Sequence, residues 1–264
     1  MQKDNPIGMF DSGVGGTSIL KEVYKLLPNE KIIYLADSKN APYGSRSQQE
    51  IIDLSIKNTE FLLEKGAKII VVACNTATTN AIKVLRANYT VPFIGIEPAI
   101  KPAALKSTNN IIGILATKGT LSSELFSETS KVFVQNTKII EVVGEGLVPL
   151  IENGDLHSQK MISLLEKLLK PFIENQIDYL VLGCSHYPYI IPQIKRILPD
   201  NVSIIDSGEA VAKQTKAVLE SKNLLSDHSL TEKPTLYTNK DIEVLELLLD
   251  NKNLQKYRIS YLDF

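Results

Sequence analysis

The stretch IIVVACNT, residues 69–76, decides the fold class of this chain. Its β-branched Ile and Val residues run together and end abruptly in Cys-Asn-Thr. Continuous apolar runs of this length are typical of strands buried on both faces, as in parallel sheets covered by helices. The stretch therefore predicts an interior strand with polar residues at its carboxyl end.

Apolar runs of the same kind recur along the chain and alternate with helical patterns. We predict strands at residues 7–10, 31–37, 67–74, 91–96, 110–117, 137–143, 178–184 and 202–206, with a weaker candidate at 234–239. Amphipathic patterns predict helices at residues 47–66 and 157–176. Strands that alternate with helices indicate the α/β class with mainly parallel sheets.

The chain also carries a weak internal repeat. IIVVACNT aligns with YLVLGCSH, residues 179–186, which matches Cys74 to Cys184. Upstream, IGMFDSGVGG aligns with IGILATKGT and places Ser12 opposite Thr117. Any α/β chain produces some similar strands, but here the strand-end features agree in order and spacing. We therefore interpret the halves as two related α/β units.

Composition argues against several classes of partner. The 264 residues include 29 Lys and Arg and 30 Asp and Glu, with a net charge of −1. This balance argues against nucleic-acid binding, and no apolar run is long enough to span a membrane. The first residues lack the basic and apolar regions of a signal peptide, so we expect a cytoplasmic protein. We expect its two cysteines, which form no Cys-x-x-Cys pair, to be free thiols.

Polar residues follow the carboxyl ends of several predicted strands. In open α/β sheets, ligands bind outside those ends. If the two units face each other, these residues line one cleft between them. They are Asp11, Ser12, Asp37, Cys74, Asn75, Thr76, Thr117, Cys184, Ser185 and His186.

Two glycine-containing segments near these ends have open interpretations. DSGVGG, residues 11–16, lets the backbone approach an anion closely, but Asp11 would repel a phosphate. A ligand with both a carboxylate and an ammonium group fits better, although the motif alone favours a tight strand–helix turn. Residues 40–47, NAPYGSRS, form either a loop that closes over a ligand or an ordinary connection.

The paired cysteines indicate proton transfer. One buried thiol would be read as a small apolar residue, and one nucleophile would not need a second cysteine. Two thiols at matched strand ends suit a reaction that runs in two symmetric directions, such as racemisation. One group removes the Cα proton from one face while the other delivers a proton to the opposite face.

Other titratable residues leave several interpretations open. His186, two residues after Cys184, could tune that thiol, or join Cys184 and Cys74 at a metal that lacks a convincing fourth ligand. Glu152 is either a charged group at the mouth of the cleft or a solvated carboxylate at a helix end, and its pattern favours the second. His157 and His228 are predicted to lie on the surface.

Together, five motifs resemble those of the glutamate racemases of the aspartate/glutamate racemase family. They are FDSGVGG (residues 10–16), PYG (42–44), ACNTAT (73–78), TKGT (117–120) and LGCSHYP (182–188), and the similarity extends from residue 7 to YTNKD at 237–241. The family's usual Gly-Cys-Thr-His is Gly-Cys-Ser-His here, so Ser185 keeps the hydroxyl and loses a methyl group.

The resemblance implies an isomerase that uses no cofactor and no metal. Cys74 would deprotonate D-glutamate with help from Asp11, and Cys184 would deprotonate L-glutamate with help from His186. Asp37 and Glu152 would be accessory acidic residues. The implied substrate-binding residues are Asp11, Ser12, Pro42, Tyr43, Gly44, Asn75, Thr76, Thr117, Thr120, Ser185 and His186.

The resemblance also implies an architecture and a cellular role. The fold would be two flavodoxin-like domains related by pseudo-symmetry, residues 1–98 plus 207–264 and residues 99–206, with the active site between them. The enzyme would work in the cytoplasm and supply D-glutamate for peptidoglycan synthesis. Its oligomeric state is left open, and a homodimer is one alternative. Aspartate racemase, an amino-acid-sensing protein and a thiol hydrolase remain alternatives at this point.

Overall fold

The fold is known from a computed structural model that describes residues 2–131, 137–227, 232–249 and 251–264. Every paired strand in it runs parallel to its neighbour. The strands are β1 (Ile7–Asp11), β2 (Ile32–Ala36), β3 (Ile69–Val72), β4 (Phe93–Gly95), β5 (Ile111–Ala116), β6 (Lys138–Val143), β7 (Tyr179–Gly183), β8 (Ser203–Ile205), β9 (Thr235–Thr238) and β10 (Arg258–Tyr261). The predicted α/β class is confirmed, and all nine predicted strands are present.

The tenth strand, β10, was not predicted. It forms the outer edge of its sheet, and three of its four residues are exposed. An edge strand that faces solvent needs no continuous apolar run, so the pattern that identifies the interior strands is missing from it.

The strands form two sheets that share one strand order. The first sheet runs β10-β9-β2-β1-β3-β4, and the second runs β6-β5-β7-β8. The order β2-β1-β3-β4 therefore recurs as β6-β5-β7-β8, which makes β1 equivalent to β5 and β3 equivalent to β7. This is the strand order of flavodoxin-like sheets, and it confirms the two related units that the internal repeat indicated.

Helices cover both sheets and connect successive strands. They are α1 (Thr17–Leu26), α2 (Gln48–Glu64), α3 (Asn75–Asn88), α4 (Ile100–Lys106), α5 (Lys118–Leu121), α6 (Glu124–Lys131), α7 (Leu147–Glu152), α8 (Gln159–Glu174), α9 (Ile191–Ile197), α10 (Gly208–Ser221) and α11 (Ile242–Leu249). The two helices predicted from amphipathic patterns appear as α2 and α8. Ser47 and Glu50 form a capping box that fixes the start of α2. In the described segments, no helix combines the length and apolar character that a membrane crossing demands.

A buried ion pair joins distant parts of the chain at the first sheet. Lys68, just before β3, is fully buried, and its Nζ lies 2.5 Å from Oε2 of Glu30. The other oxygen of Glu30 accepts a hydrogen bond from the backbone of Ser226, and Lys68 also donates to the carbonyl of Lys3. These contacts hold the segment after α10 against the first sheet, before the chain returns to it as β9 and β10.

Candidate active site

The carboxyl ends of β1, β3, β5 and β7 meet at one cavity between the two sheets. Cys74 follows β3 and Cys184 follows β7, and both thiols line this cavity with their side chains almost fully buried. The lining residues are Ser12, Pro42, Tyr43, Gly44, Cys74, Asn75, Thr76, Thr117, Val148, Cys184, Ser185 and His186. Within the described chain, none of them is Lys or Arg.

The structure brings most of the predicted site residues to this cavity. Four lie outside its lining: Asp11, Asp37, Thr120 and Glu152. Val148 of α7 also lines the cavity and was not predicted. An apolar residue within a helical pattern indicates packing in the hydrophobic core rather than a binding site. The cavity has a volume of only about 10 Å³, which is room for about one water molecule. The space that these residues enclose is therefore smaller than an amino acid.

Cys74 sits at the start of α3. Its Sγ accepts a hydrogen bond from the backbone N–H of Ala77 at 3.4 Å and donates to Oγ of Ser12 at 3.5 Å. Burial raises the pKa of the Cys74 thiol, and the nearby charge of Asp11 raises it further. The thiol is therefore protonated at neutral pH in the free protein.

Asp11 lies behind the cavity and joins the two halves of the site. Its carboxylate accepts hydrogen bonds from the backbone of Gly16 at 2.9 Å and from the Ser185 hydroxyl at 3.1 Å. Burial raises the pKa of Asp11, and this effect outweighs the opposing attraction of His186. Since Ser185 follows β7 and Asp11 ends β1, this contact bridges the two sheets.

His186 connects the second thiol to a buried carboxylate. Its Nδ1 lies 3.8 Å from Sγ of Cys184, and its Nε2 lies 2.5 Å from Oε1 of Glu152. Burial alone would lower the pKa of His186, but its contacts with Cys184 and Glu152 raise it well above the ordinary value. A Gly15 N–H lies 3.3 Å from the same Nε2. The contact with Glu152 is the shorter of the two and joins a charged pair, so we assign a proton to Nε2 that is donated to Glu152.

The position of Glu152 differs from the interpretation that its sequence pattern favours. It ends α7 but is only 6% exposed, and its Oε1 accepts a hydrogen bond from the Val14 backbone at 2.7 Å. The interpretation of Glu152 as a solvated carboxylate at a helix end is therefore wrong. The tertiary fold covers it with the turn after β1, which the local pattern of α7 does not reveal.

The glycines of DSGVGG admit the side chains of the second half of the site. A Cβ atom on Gly13 would lie 2.0 Å from Oε1 of Glu152, and one on Gly15 would lie 2.3 Å from Nδ1 of His186. Cβ atoms are essentially never found so close to other heavy atoms. The turn is glycine-rich here because His186 and Glu152 pack directly against its backbone.

Three threonine hydroxyls form a hydrogen-bonded row at another side of the cavity, which Thr76 and Thr117 line. Oγ1 of Thr76 lies 2.8 Å from Oγ1 of Thr117, which lies 3.0 Å from that of Thr120. Thr76 lies in the first turn of α3, which follows the first sheet. Thr117 caps α5 and Thr120 belongs to it, in the second unit. Beside them, Oδ1 of Asn75 is buried and has no hydrogen-bond partner within the described chain. It is an acceptor available to a bound ligand.

The family model for Asp/Glu/Hydantoin racemases matches residues 13–215, which include both cysteines and three of the four converging strand ends, those of β3, β5 and β7. The chain belongs to this racemase family. A curated glutamate racemase from Herpetosiphon aurantiacus is 43% identical over 224 residues, which cover 85% of this chain and 88% of that protein. This racemase therefore shares most of its length with its curated relative.

Solved structures agree with the fold of the racemase. A glutamate racemase isoform from Bacillus anthracis superimposes with a TM-score of 0.88 at 30% identity, covering 100% of this chain and 99% of that one. The Escherichia coli glutamate racemase, solved with L-glutamate and the activator UDP-MurNAc-Ala, gives a TM-score of 0.85 at 30% identity and covers 98% of each chain. Both comparisons span the two sheets.

The sequence of the racemase also left a metal site open and predicted two histidines on the surface. Among the residues that the structure describes, no group of three or more His, Cys, Asp or Glu side chains could hold a metal ion. His157 is exposed, as predicted, and its Nδ1 lies 3.1 Å from Nε2 of Gln193. His228 lies outside the described residues.

Proposed function

We propose that this racemase interconverts L- and D-glutamate by direct proton transfer at Cα between two cysteines, without a cofactor. The observation that carries the proposal is the placement of Cys74 and Cys184 at equivalent strand ends on one cavity. The substrate assignment is supported by relatives named glutamate racemase, one of them solved with L-glutamate.

The proposed reaction needs one thiolate and one thiol. With L-glutamate, the Cys184 thiolate takes the Cα proton and becomes a thiol, leaving the electron pair on Cα. The Cys74 thiol then delivers its proton to the opposite face and becomes a thiolate. With D-glutamate the roles are exchanged, so each cysteine serves as base in one direction and as acid in the other.

The surroundings of each cysteine differ in how they support a thiolate. Protonated His186, 3.8 Å from Cys184, stabilises a negative charge there. Cys74 instead receives the Ala77 N–H at the start of α3, where the helix dipole favours an anion. Asp11 opposes this charge and makes the Cys74 thiolate a stronger base.

Neutral groups of the cavity would bind the substrate. The hydroxyls of Ser12, Thr76 and Thr117 can donate to its two carboxylates. The unpartnered Oδ1 of Asn75 can accept from its ammonium group. Donors held in a dry cavity also stabilise the negative charge that develops during proton removal. Tyr43 and Gly44 of the loop at residues 40–47 complete the wall.

We further propose that the racemase opens and closes between two domains, residues 1–98 plus 207–264 and residues 99–206. The cavity of about 10 Å³ supports this motion, since glutamate cannot enter it as it stands. In this proposal the enzyme works in the cytoplasm and supplies D-glutamate for peptidoglycan.

Solvent exchange with both enantiomers tests the reaction. In D₂O, the two-cysteine mechanism places deuterium at Cα of the product enantiomer, because the second thiol carries a solvent-derived deuteron. Early in the reaction, recovered substrate keeps its protium. Deuterium in substrate and product at equal early rates would indicate a single base, and no deuterium in either would indicate a protein that only binds amino acids.

Parallel assays separate the remaining enzymes. Faster turnover of aspartate than of glutamate would assign the site to aspartate. A trapped acyl-enzyme on either cysteine would assign it to a thiol hydrolase.

A further inference from the structure

The carboxylate of Asp37 is the centre of a buried hydrogen-bond network behind the cavity. Its Oδ2 accepts from the Tyr43 hydroxyl at 2.5 Å, and its Oδ1 accepts from Nδ2 of Asn239 at 2.6 Å and of Asn40 at 2.8 Å. Asp37, Tyr43 and Asn239 are each at most 3% exposed. Asp37 itself does not line the cavity, so it reaches the site only through these partners.

Asn239 brings the returning C-terminal segment into this network. It directly follows β9, which pairs with β2, and Asp37 directly follows β2. The Asn239 side chain donates to Asp37 through Nδ2 and accepts from the backbone N–H of Lys39 at 2.9 Å through Oδ1. One amide therefore ties the end of β9 to both the carboxylate and the start of the following loop.

The partner of Asp37 on the cavity side is Tyr43. Its hydroxyl also accepts from Nδ2 of Asn58 at 3.1 Å, so both of its hydrogen-bonding roles are filled. Burial and the charge of Asp37 raise the pKa of Tyr43, which keeps the hydroxyl protonated as a donor. Tyr43 and its neighbours Pro42 and Gly44 form one wall of the cavity.

We propose that Asp37 and Asn239 are positioning residues that hold Tyr43 and its loop in the geometry that binds substrate. The C-terminal segment thereby sets the affinity of a site that it does not touch. The identity of the substrate in this inference rests on the proposed glutamate racemase function. The role of Asp37 and Asn239 in holding the loop does not depend on that function.

Hydrogen exchange without substrate tests the loop geometry independently of the reaction. In N239A, we expect the backbone amides of residues 43–46 to exchange about tenfold faster than in the wild type. In the wild type, local opening of the loop must break the Asn239 contacts, whereas in the variant these contacts are absent and opening costs less free energy. K68M is the matched control: it removes another buried polar side chain at the same sheet, away from the loop. It should lower the urea midpoint but leave these amides unchanged. Equal protection in N239A and the wild type would overturn the inference.

Kinetics then separates positioning from general loss of structure. In N239A we expect KM for glutamate to rise about tenfold while kcat falls less than about threefold, as for a loss of uniform binding. K68M should keep the wild-type KM. An equal rise of KM in K68M would mean that any weakening of the fold has this effect, and would overturn the positioning role.

A double-mutant cycle tests whether Asn239 affects substrate binding through the Tyr43 hydroxyl. Y43F removes the hydroxyl that contacts Asp37, so adding N239A to it should change KM by less than about twofold. A further tenfold rise would show that Asn239 acts by another path. If the wild type does not racemise glutamate, the proposed function fails, and the exchange measurement still decides the loop inference.

Discussion

Oε1 of Glu152 lies 2.5 Å from Nε2 of His186 and also accepts the backbone N–H of Val14. This single oxygen joins the end of α7 to the turn after β1, and it turns the imidazole so that Nδ1 faces Cys184 at 3.8 Å. A carboxylate that does not line the cavity thus controls the orientation and the charge of a group that does.

Removing either thiol should stop racemisation in both directions. In the proposed reaction each turnover uses both cysteines, so C74A and C184A should each lose at least about 1,000-fold in kcat, within the range of general acid–base effects. Racemisation is measured by circular dichroism of glutamate from each enantiomer. Both variants should keep the far-ultraviolet spectrum of the wild type. More than about a tenth of wild-type activity in either one would contradict the two-base mechanism.

Neutralising Glu152 should lower the pKa of His186. The E152Q variant keeps the size of the side chain but loses the negative charge that helps to raise this pKa. NMR titration can follow the change directly, because the chain contains only three histidines. We expect the pKa of His186 to fall, because the neutral amide no longer stabilises the protonated ring. An unchanged pKa of His186 would rule out this electrostatic role of Glu152.

The pH dependence of stability should carry the signature of His186. Its pKa in the folded protein is raised above the unfolded value of about 6.5. The protonated form therefore stabilises the fold, fully below pH 6.5, and this stabilisation is lost as pH rises through the folded pKa. The difference in free energy of unfolding between wild type and H186Q should shrink as pH increases. Urea denaturation across this range measures it, and a difference that grows with pH would contradict the assignment.

A methyl group at Gly15 should displace His186. The added Cβ would lie 2.3 Å from Nδ1, so the ring must move. A misplacement of about 1 Å at a catalytic site can cost about 100-fold, and we expect G15A to lose about that much in kcat/KM. G208A is the control, since the nearest neighbours of its added Cβ are the side chains of Asp206 and Glu22 at 3.1 and 3.3 Å, and neither of them lines the cavity. Equal activity of the two variants would show that the glycine is not needed for this approach.

Strand prediction succeeded where burial leaves a local pattern. β3 and β7 are apolar on both faces, so their positions and the polar residues that follow them could be read directly from the chain. β10 could not, because its solvent-exposed edge position leaves no apolar run. The matched strand order of the two sheets explains why the alignment of Cys74 with Cys184 was informative.

The position of a residue after a strand end was predictable, but its distant contacts were not. Glu152 and Asn239 contact partners that lie 34 and 202 positions away in the chain. No local periodicity encodes such contacts. Val14 and Gly15 likewise appeared as parts of a turn, without any indication of the side chains that pack on them.

By itself, the sequence determined the parallel α/β class, the two related units and the two thiols at equivalent strand ends. These features depend on apolar periodicity and on the rule that parallel strands present their carboxyl ends together. Only the tertiary structure decided that Glu152 is buried against His186 and that Asn239 supports the wall formed by Tyr43. Those contacts arise when the two sheets face each other and the chain returns to the first sheet, so their geometry depends on the packing of whole units rather than on any segment.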